Sequence, residues 1–235
     1  MDYTNMSKHY DDIMTSGYYD YKKIVDNLLE YQPLQSVLEI GCGTGLILEE
    51  LTTRHSVDNI MGFDLTESML SIAHERLQAF PRISLSLQNV LHLTLPDQYD
   101  LAFSYGGVWY FVIDGEKEPI FVSHIPDDAD NHQGFARVAE HIAKDGILLL
   151  GIQGAHRDYE TVIANGMTYS QKITPCKNGF VKDYFLKEGT KSVMSQTIRY
   201  RTYSFTEAQQ LLATYGFEYQ PITKNDKLFL EFRKR

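Results

Sequence analysis

The segment best suited to chemistry is Val37-Leu38-Glu39-Ile40-Gly41-Cys42-Gly43-Thr44-Gly45. A short apolar run enters a Gly-x-Gly-x-Gly turn, and a helical pattern follows. Glycine suits such a turn because a side chain would block close approach of a ligand to the backbone, and because the turn needs unusual φ/ψ angles. The helix that follows presents free N–H groups at its start. Asp64 stands 23 positions after Gly41, at the end of a second apolar run. A carboxylate placed there can accept hydrogen bonds from two ribose hydroxyls. A Gly-rich loop with an acidic strand end specifies an adenosine-type ligand at the carboxyl edge of a parallel sheet.

The elements that must position these groups can be read from periodicity. Ser36–Ile40, Asn59–Asp64, Ile83–Gln88, Tyr99–Tyr105 and Gly146–Gln153 read as strands. Leu46–Thr53, Glu67–Phe80 and Phe135–Ala143 read as helices, the second with Met69, Leu70, Ala73 and Leu77 on one face and Thr66 as its N-cap. Apolar strands alternating with helices mean a parallel sheet covered on both faces. The pattern then changes to period two over Met167–Pro175, Gly179–Lys187 and Lys191–Tyr203, an antiparallel meander. Phe205–Tyr215 reads as a helix, with Ser204 and Glu207 at capping-box spacing and Gly216 as its stop. Phe217–Ile222 and Lys227–Arg233 close the chain as strands around Lys224-Asn225-Asp226.

Composition narrows the class. The chain has 235 residues, with 43% apolar and 23% charged, ordinary for a globular protein. No apolar run approaches the ~20 residues of a membrane span, and the start Met-Asp-Tyr-Thr-Asn carries no secretory pattern. Two cysteines, Cys42 and Cys176, make neither a disulfide framework nor a zinc cluster, which points to a reducing cytoplasm. A net charge of −9 disfavours a nucleic-acid partner. Sixteen tyrosines against one tryptophan are read mainly as amphipathic packing.

NAD and S-adenosylmethionine (SAM) both satisfy the loop-and-acid pattern. The dinucleotide fingerprint would place its third glycine at Leu46, one position later than the glycine found here. Glu39, just before the loop, can steady a cationic ligand. At these residues the sequence resembles the class I SAM-dependent methyltransferases. Their first motif is matched across Glu39–Gly45 and their second acidic position by Asp64. An adenine-side step falls at Gln88-Asn89-Val90, with Asn89 where Asp is usual. Asp100 and Asp145–Leu150 match two further elements. The resemblance implies a Rossmann-like α/β fold with a seven-stranded sheet, mostly parallel with an antiparallel last strand. It implies cofactor contacts at Tyr10, Tyr19, Glu39, Gly41, Cys42, Gly43, Gly45, Asp64, Leu65, Met69, Asn89, Val90 and Ser104.

The looser, non-core part resembles small-molecule N-methyltransferases of the amino-sugar and glycine/sarcosine type. It carries a Tyr-Asp-containing N-terminal segment, a step Phe103-Ser104-Tyr105-Gly106-Gly107 and a meander leading into a Ser-x-x-Glu helix. The organisation expected is one domain: a helical lid (1–31), a SAM-binding core (32–153), an antiparallel lid (154–203) and a last helix with C-terminal strands (204–235). The function implied is methyl transfer to a small acceptor, at nitrogen ahead of oxygen, by a monomer or homodimer without membrane or nucleic-acid partners. A small-molecule O-methyltransferase and a non-catalytic SAM-binding protein are the alternatives. Tyr18, Tyr19, Tyr21 and Trp109 are candidates to face the sulfonium, since aromatic faces attract cations. His156 is the candidate general base, with His124 and His132 behind it. Tyr105, Trp109, His124, Arg199 and Arg201 are candidate acceptor contacts. Asp127, Asp128 and Asp130 are read as a solvated acidic loop rather than a Mg²⁺ site, so no metal is expected.

Overall fold

The computed structural model describes residues 3–31, 34–221 and 227–235. The chain begins with α1 (Ser7–Ile13), a π-helical turn (Met14–Tyr18) and α2 (Tyr21–Leu28). Then come β1 (Ser36–Ile40), α3 (Leu46–Arg54), β2 (Asn59–Asp64), α4 (Glu67–Leu77), β3 (Ile83–Leu87) and β4 (Tyr99–Ser104). β5 (Trp109–Ile113) and β6 (Ile120–Ser123) form a hairpin before α5 (Asp128–Glu140) and β7 (Ile142–Gly154). β8 (Tyr159–Val162), β9 (Thr168–Cys176), β10 (Gly179–Glu188) and β11 (Lys191–Tyr203) form the meander, followed by α6 (Phe205–Thr214), β12 (Phe217–Gln220) and β13 (Phe229–Lys234).

The first strands pair in parallel in the order β3-β2-β1-β4-β7. Alternate side chains go to opposite faces. Leu38 and Leu148 join a core with α5 and α6, while Val37 and Leu149 join a second core with α2, α3 and α4. This is the Rossmann-like arrangement the periodicity implies. The expected count of seven strands is corrected, because the sheet has 13 among the described residues. The reason lies in β7. Its residues Ile147–Gly151 carry antiparallel β13, and β12 follows on β13. Its last residues, Ile152–Gly154, run past that pair and bind β5 in parallel. From β5 the sheet continues through β6, β11, β10, β9 and β8. The meander therefore grows out of the central sheet.

Three local expectations change. Trp109–Ile113 is a strand, so Trp109, a candidate acceptor contact in the sequence, stands in the sheet. The helix expected from Phe135 starts seven residues earlier, at Asp128, and ends at Glu140. Asp127 caps it by accepting from the Asp130 N–H at 3.1 Å, and acidic groups in a first turn favour the positive end of the helix dipole. The acidic stretch is thus a helix start, which apolar periodicity does not register. Strand β8 was also unread, being exposed along its whole length. The Ser204–Glu207 capping box is present. The turn Lys224-Asn225-Asp226 and Ile222 lie outside the described residues. No helix among the described residues is long and apolar enough to cross a membrane.

One buried polar node joins β5, β6 and α5. Asn131 is fully buried. Its Oδ1 accepts from Trp109 Nε1 (3.0 Å) and Ser123 Oγ (2.6 Å), and its Nδ2 donates to the Ile125 and Asp127 carbonyls. Every hydrogen-bonding site of the amide is used, and removing it strands several buried partners. Asn131→Ala is expected to cost about 3 kcal/mol. In thermal unfolding that is a drop in Tm of about 6–12 °C.

Candidate active site

A cavity of about 200 Å³ opens at the carboxyl ends of β1 to β4. Gly41 and Gly43 form its floor. Asp64, Leu65, Thr66 and Met69 come from the end of β2 and the start of α4. Gln88, Asn89 and Val90 come from the loop after β3, and Gly106-Gly107-Val108 from the loop after β4. Tyr3 and Tyr10 cover it from the N-terminal segment, and His124, Ile125 and Pro126 from the loop before α5. The crossing of strands at β1 and β4 is the place where parallel sheets bind ligands.

The loop geometry matches an adenosine ligand. Gly43 has φ +54°, and a Cβ there would project toward open space below the Tyr10 ring, 3.9 Å away. Asp64 Oδ2 accepts from the Gly43 N–H at 2.9 Å and Oδ1 from the Thr66 N–H at 2.8 Å. These bonds fix the carboxylate at the rim and leave it free lone pairs. Burial raises its pKa, and the backbone donors oppose that rise. Asn89 Oδ1 already accepts from the Leu91 N–H at 3.0 Å. One acceptor lone pair and two amide protons remain for an adenine edge.

Glu39 lies beneath the loop, 3% exposed, and its Oε2 has no hydrogen-bond partner. Burial first, and the Asp64 charge second, hold its pKa well above the ordinary carboxylate range. A buried acceptor left unpaired costs stability, and a cationic ligand is the partner that would offset it. SAM has such charges at its sulfonium and its α-ammonium. The orphaned carboxylate and the open cradle at Gly43 therefore both fit SAM.

The N-terminal segment is pinned over this loop. Asp11 of α1 accepts from Thr44 Oγ1 at 2.6 Å and forms an ion pair with Arg76 of α4. Arg76 also donates to the Thr44 carbonyl at 2.8 Å. Behind Tyr3 and Tyr10 lies a smaller inner chamber of about 20 Å³. Tyr18, Tyr19, Tyr110, Gln153, Lys182, Tyr184 and Tyr200 enclose it, and Tyr3, Tyr10, Gly106 and His124 belong to both spaces. On its other side a wide groove of about 870 Å³ runs between the π-helical turn and β8. Tyr18, Tyr19 and Gln153 separate groove from chamber.

Of the residues singled out in the sequence, Tyr10, Gly41, Gly43, Asp64, Leu65, Met69, Asn89, Val90 and His124 line the first cavity. Tyr18 and Tyr19 line the inner chamber. Others take structural positions. The Cys42 side chain packs in the core against Leu48 and Gly62. Gly45 starts α3 against Leu77. Ser104 is fully buried, with Oγ 3.4 Å from the Trp109 N–H. Trp109 stacks on Phe135 at 3.9 Å and is fully buried, so its faces are unavailable to a cation. Tyr21 packs beside Tyr19 in the α2 core, and Tyr105 between Tyr19 and Phe229. Arg201 pairs with Asp128 and lies over Tyr203, while Arg199 borders a shallow surface recess. His132 is hydrogen-bonded to Tyr215. Among the described residues no cluster of His, Cys, Asp and Glu could hold a metal.

His156 stands in the groove, behind Gln153. Its Nε2 is 3.3 Å from Gln153 Oε1, which can only accept, so the proton belongs on Nε2. Its Nδ1 is buried without a partner. Burial, and then the Lys182 charge, lower its pKa to about 3, and His124 is lowered to about 3 by the same causes. Lys182, Tyr184 and Tyr200 went unnoticed in the sequence. The available signal was phase: Lys182 alternates with Tyr184 and Leu186 on the inward face of β10.

Comparisons with known proteins agree with this geometry. Residues 37–146 match a family described as a methyltransferase domain. The chain is 27% identical over 130 residues to a malonyl-[acyl-carrier protein] O-methyltransferase of Bacillus cereus, covering 55% of this chain. The match spans 41% of that enzyme's length. A SAM-dependent methyltransferase of Clostridium acetobutylicum superposes with TM-score 0.72 at 17% identity, covering 99% of this chain and 98% of the other. A SAM-bound amino pentose methyltransferase of Micromonospora echinaspora gives 0.73 at 15% identity, covering 97% of each. Loop, acidic strand end and domain match agree: residues 37–146 match a methyltransferase domain, and the fold is that of SAM-dependent methyltransferases of known structure.

Two substitutions test the cofactor groups. Asp64→Ala is expected to weaken SAM binding about a hundredfold, the worth of two charge-assisted bonds, as read by calorimetry. Glu39→Gln keeps the shape and removes the buried charge. A carboxylate with a raised folded pKa loses stability as pH rises above 4.5 and through that raised value. The Tm advantage of Glu39→Gln over wild type should therefore grow from about pH 5 to about pH 8, while its SAM affinity falls about tenfold.

Proposed function

We propose that this chain transfers the methyl group of SAM to the nitrogen of a small-molecule amine bound in the inner chamber. SAM, when bound, supplies a methyl group already activated on a sulfonium. The observation that carries the reading is the chamber itself: a tyrosine-lined space sharing Tyr3, Tyr10, Gly106 and His124 with the cavity that fits SAM. In this reading Asp64 holds the ribose, Asn89 the adenine edge, and Glu39 offsets the positive charge of the donor. The segments 1–31 and 154–203 act as lids that exclude water and align the acceptor, which is most of what such a transfer requires.

Nitrogen is favoured over a hydroxyl by the protonation states in the site. A hydroxyl needs a base, and the imidazoles of His124 and His156 are lowered to about 3. Such imidazoles are too weak to remove its proton. An amine needs only its lone pair. Burial beside the Lys182 cation opposes protonation of an incoming amine, so one that arrives as an ammonium sheds its proton to water on entry and reacts neutral. His156 then serves as a positioning residue that holds Gln153, which donates to Tyr19 Oη at 2.9 Å between groove and chamber.

The test is incubation with SAM carrying a deuterated methyl group and a fractionated extract, followed by mass spectrometry. Label on nitrogen in a small molecule is the expected result. Label on oxygen, or only in macromolecules, overturns the reading. His156→Asn should lower turnover severalfold and leave the shape of the pH–rate profile unchanged between about pH 5 and 9, because a group lowered to about 3 does not titrate there. Loss of one limb of the profile in that variant would instead make His156 the base.

A further inference from the structure

The inner chamber contains a cation with no counter-charge. Lys182 is 1% exposed. Its Nζ donates to Tyr18 Oη at 3.0 Å and lies 4.7 Å from the centre of the Tyr184 ring. An ammonium has three protons, and these contacts, with the Tyr18 ring at 5.6 Å, give it one oxygen acceptor and two aromatic faces. Among the described residues no Asp or Glu lines the chamber. The phenols do not substitute for a carboxylate. Burial holds the pKa of Tyr18 and of Tyr184 above the ordinary value, so both stay protonated. His124 and His156 stay uncharged as well, and add no negative charge.

A buried, unpaired ammonium is costly, and natural interiors pair or neutralise such groups. Burial alone lowers Lys182, to about 7. A carboxylate of the protein placed nearby would have opposed that shift. The chain therefore keeps a desolvated amine beside an open space, and an anion bound there would hold its proton in place and complete an ion pair.

Building on the methyl-transfer reading, we propose that Lys182 is the docking point for an oxyanion, carboxylate or phosphate, carried by the acceptor at a distance from its reacting nitrogen. Lys182 lines the chamber and not the cofactor cavity, whereas Tyr3, Tyr10, Gly106 and His124 line both. The anion thus sits at the far end and serves as a handle, leaving the amine to face the shared wall. The remainder of the acceptor leads past Tyr18, Tyr19 and Gln153 to the groove. A space of about 20 Å³ holds about one water, so either anion requires the walls to part, a carboxylate less than a phosphate. Arg199 and Arg201 lie away from the chamber and leave this role to Lys182.

The experiment uses the full chain saturated with S-adenosylhomocysteine, titrated with sodium acetate in one arm and inorganic phosphate in the other at constant ionic strength. Saturable stabilisation by acetate alone supports a carboxylate handle. Saturation by phosphate alone, or by both, supports the oxyanion site and admits a phosphate handle. In Lys182→Met the saturating anion should bind about thirtyfold more weakly or not at all, while affinity for S-adenosylhomocysteine stays within about twofold. Equal anion binding in Lys182→Met, or no saturable binding of either anion to wild type, overturns the proposal. Should Lys182→Met fail to fold, carbon-13 lysine NMR decides the matter. The Lys182 signal, assigned by its loss in Lys182→Arg, must move when acetate or phosphate is added, and a static signal in both arms overturns the proposal. Failure of wild type to bind S-adenosylhomocysteine would instead sink the methyl-transfer reading on its own.

Discussion

Strand β7 is shared between two halves of the molecule, and that sharing constrains everything around the site. Along Ile147–Gly151 it carries β13, and along Ile152–Gly154 it carries β5. Backbone ladders leave little freedom in register, because a slip of one residue would turn every side chain to the wrong face. The meander is therefore fixed relative to the Gly-rich loop by one continuous strand. Gln153 stands on that strand at the point where it passes from one partner to the other, and there it bonds Tyr19. The polar node at Asn131 secures the same junction from the other side, through Trp109 of β5 and Ser123 of β6.

On this frame the site concentrates groups in electrostatically unfavourable states. Glu39 is buried with an unpaired oxygen, Lys182 is buried without a carboxylate, and His124 and His156 are held neutral. Each costs stability in the empty protein. Their arrangement has a common logic. The acid lies under the cavity that fits a cationic donor, and the base lines the inner chamber beside it. Neither group figures among the other's partners, and each is available to a ligand. Stability given up in this way is the usual cost of a preorganised site.

Much of the cofactor side was legible in the linear chain. Gly41, Gly43 and Asp64 announce themselves because the turn demands glycine and the strand end demands an acid, both local requirements. The parallel core was legible for the same reason, since strands buried on both faces read as unbroken apolar runs and one-sided helices impose a period of 3.6. The start of α5 was not, because its first turn is set by Asp127 as a cap and not by an apolar face.

The acceptor side depended on tertiary structure. Trp109 and Tyr21 look like exposed aromatic faces in sequence, yet the sheet buries one against Phe135 and packs the other into the α2 core. Arg201 looks like an anion binder, yet it is occupied by Asp128, 73 positions away. Lys182 becomes informative only when β10 is brought over the chamber with Tyr18 beside it, 164 positions earlier in the chain. By itself the sequence determined the class of fold, the Gly-rich cradle and its acidic partner, since short-range stereochemistry and hydrophobic period are written residue by residue. Tertiary structure alone decided which charged and aromatic side chains line the inner chamber, because burial and unpaired charge depend on contacts between distant segments.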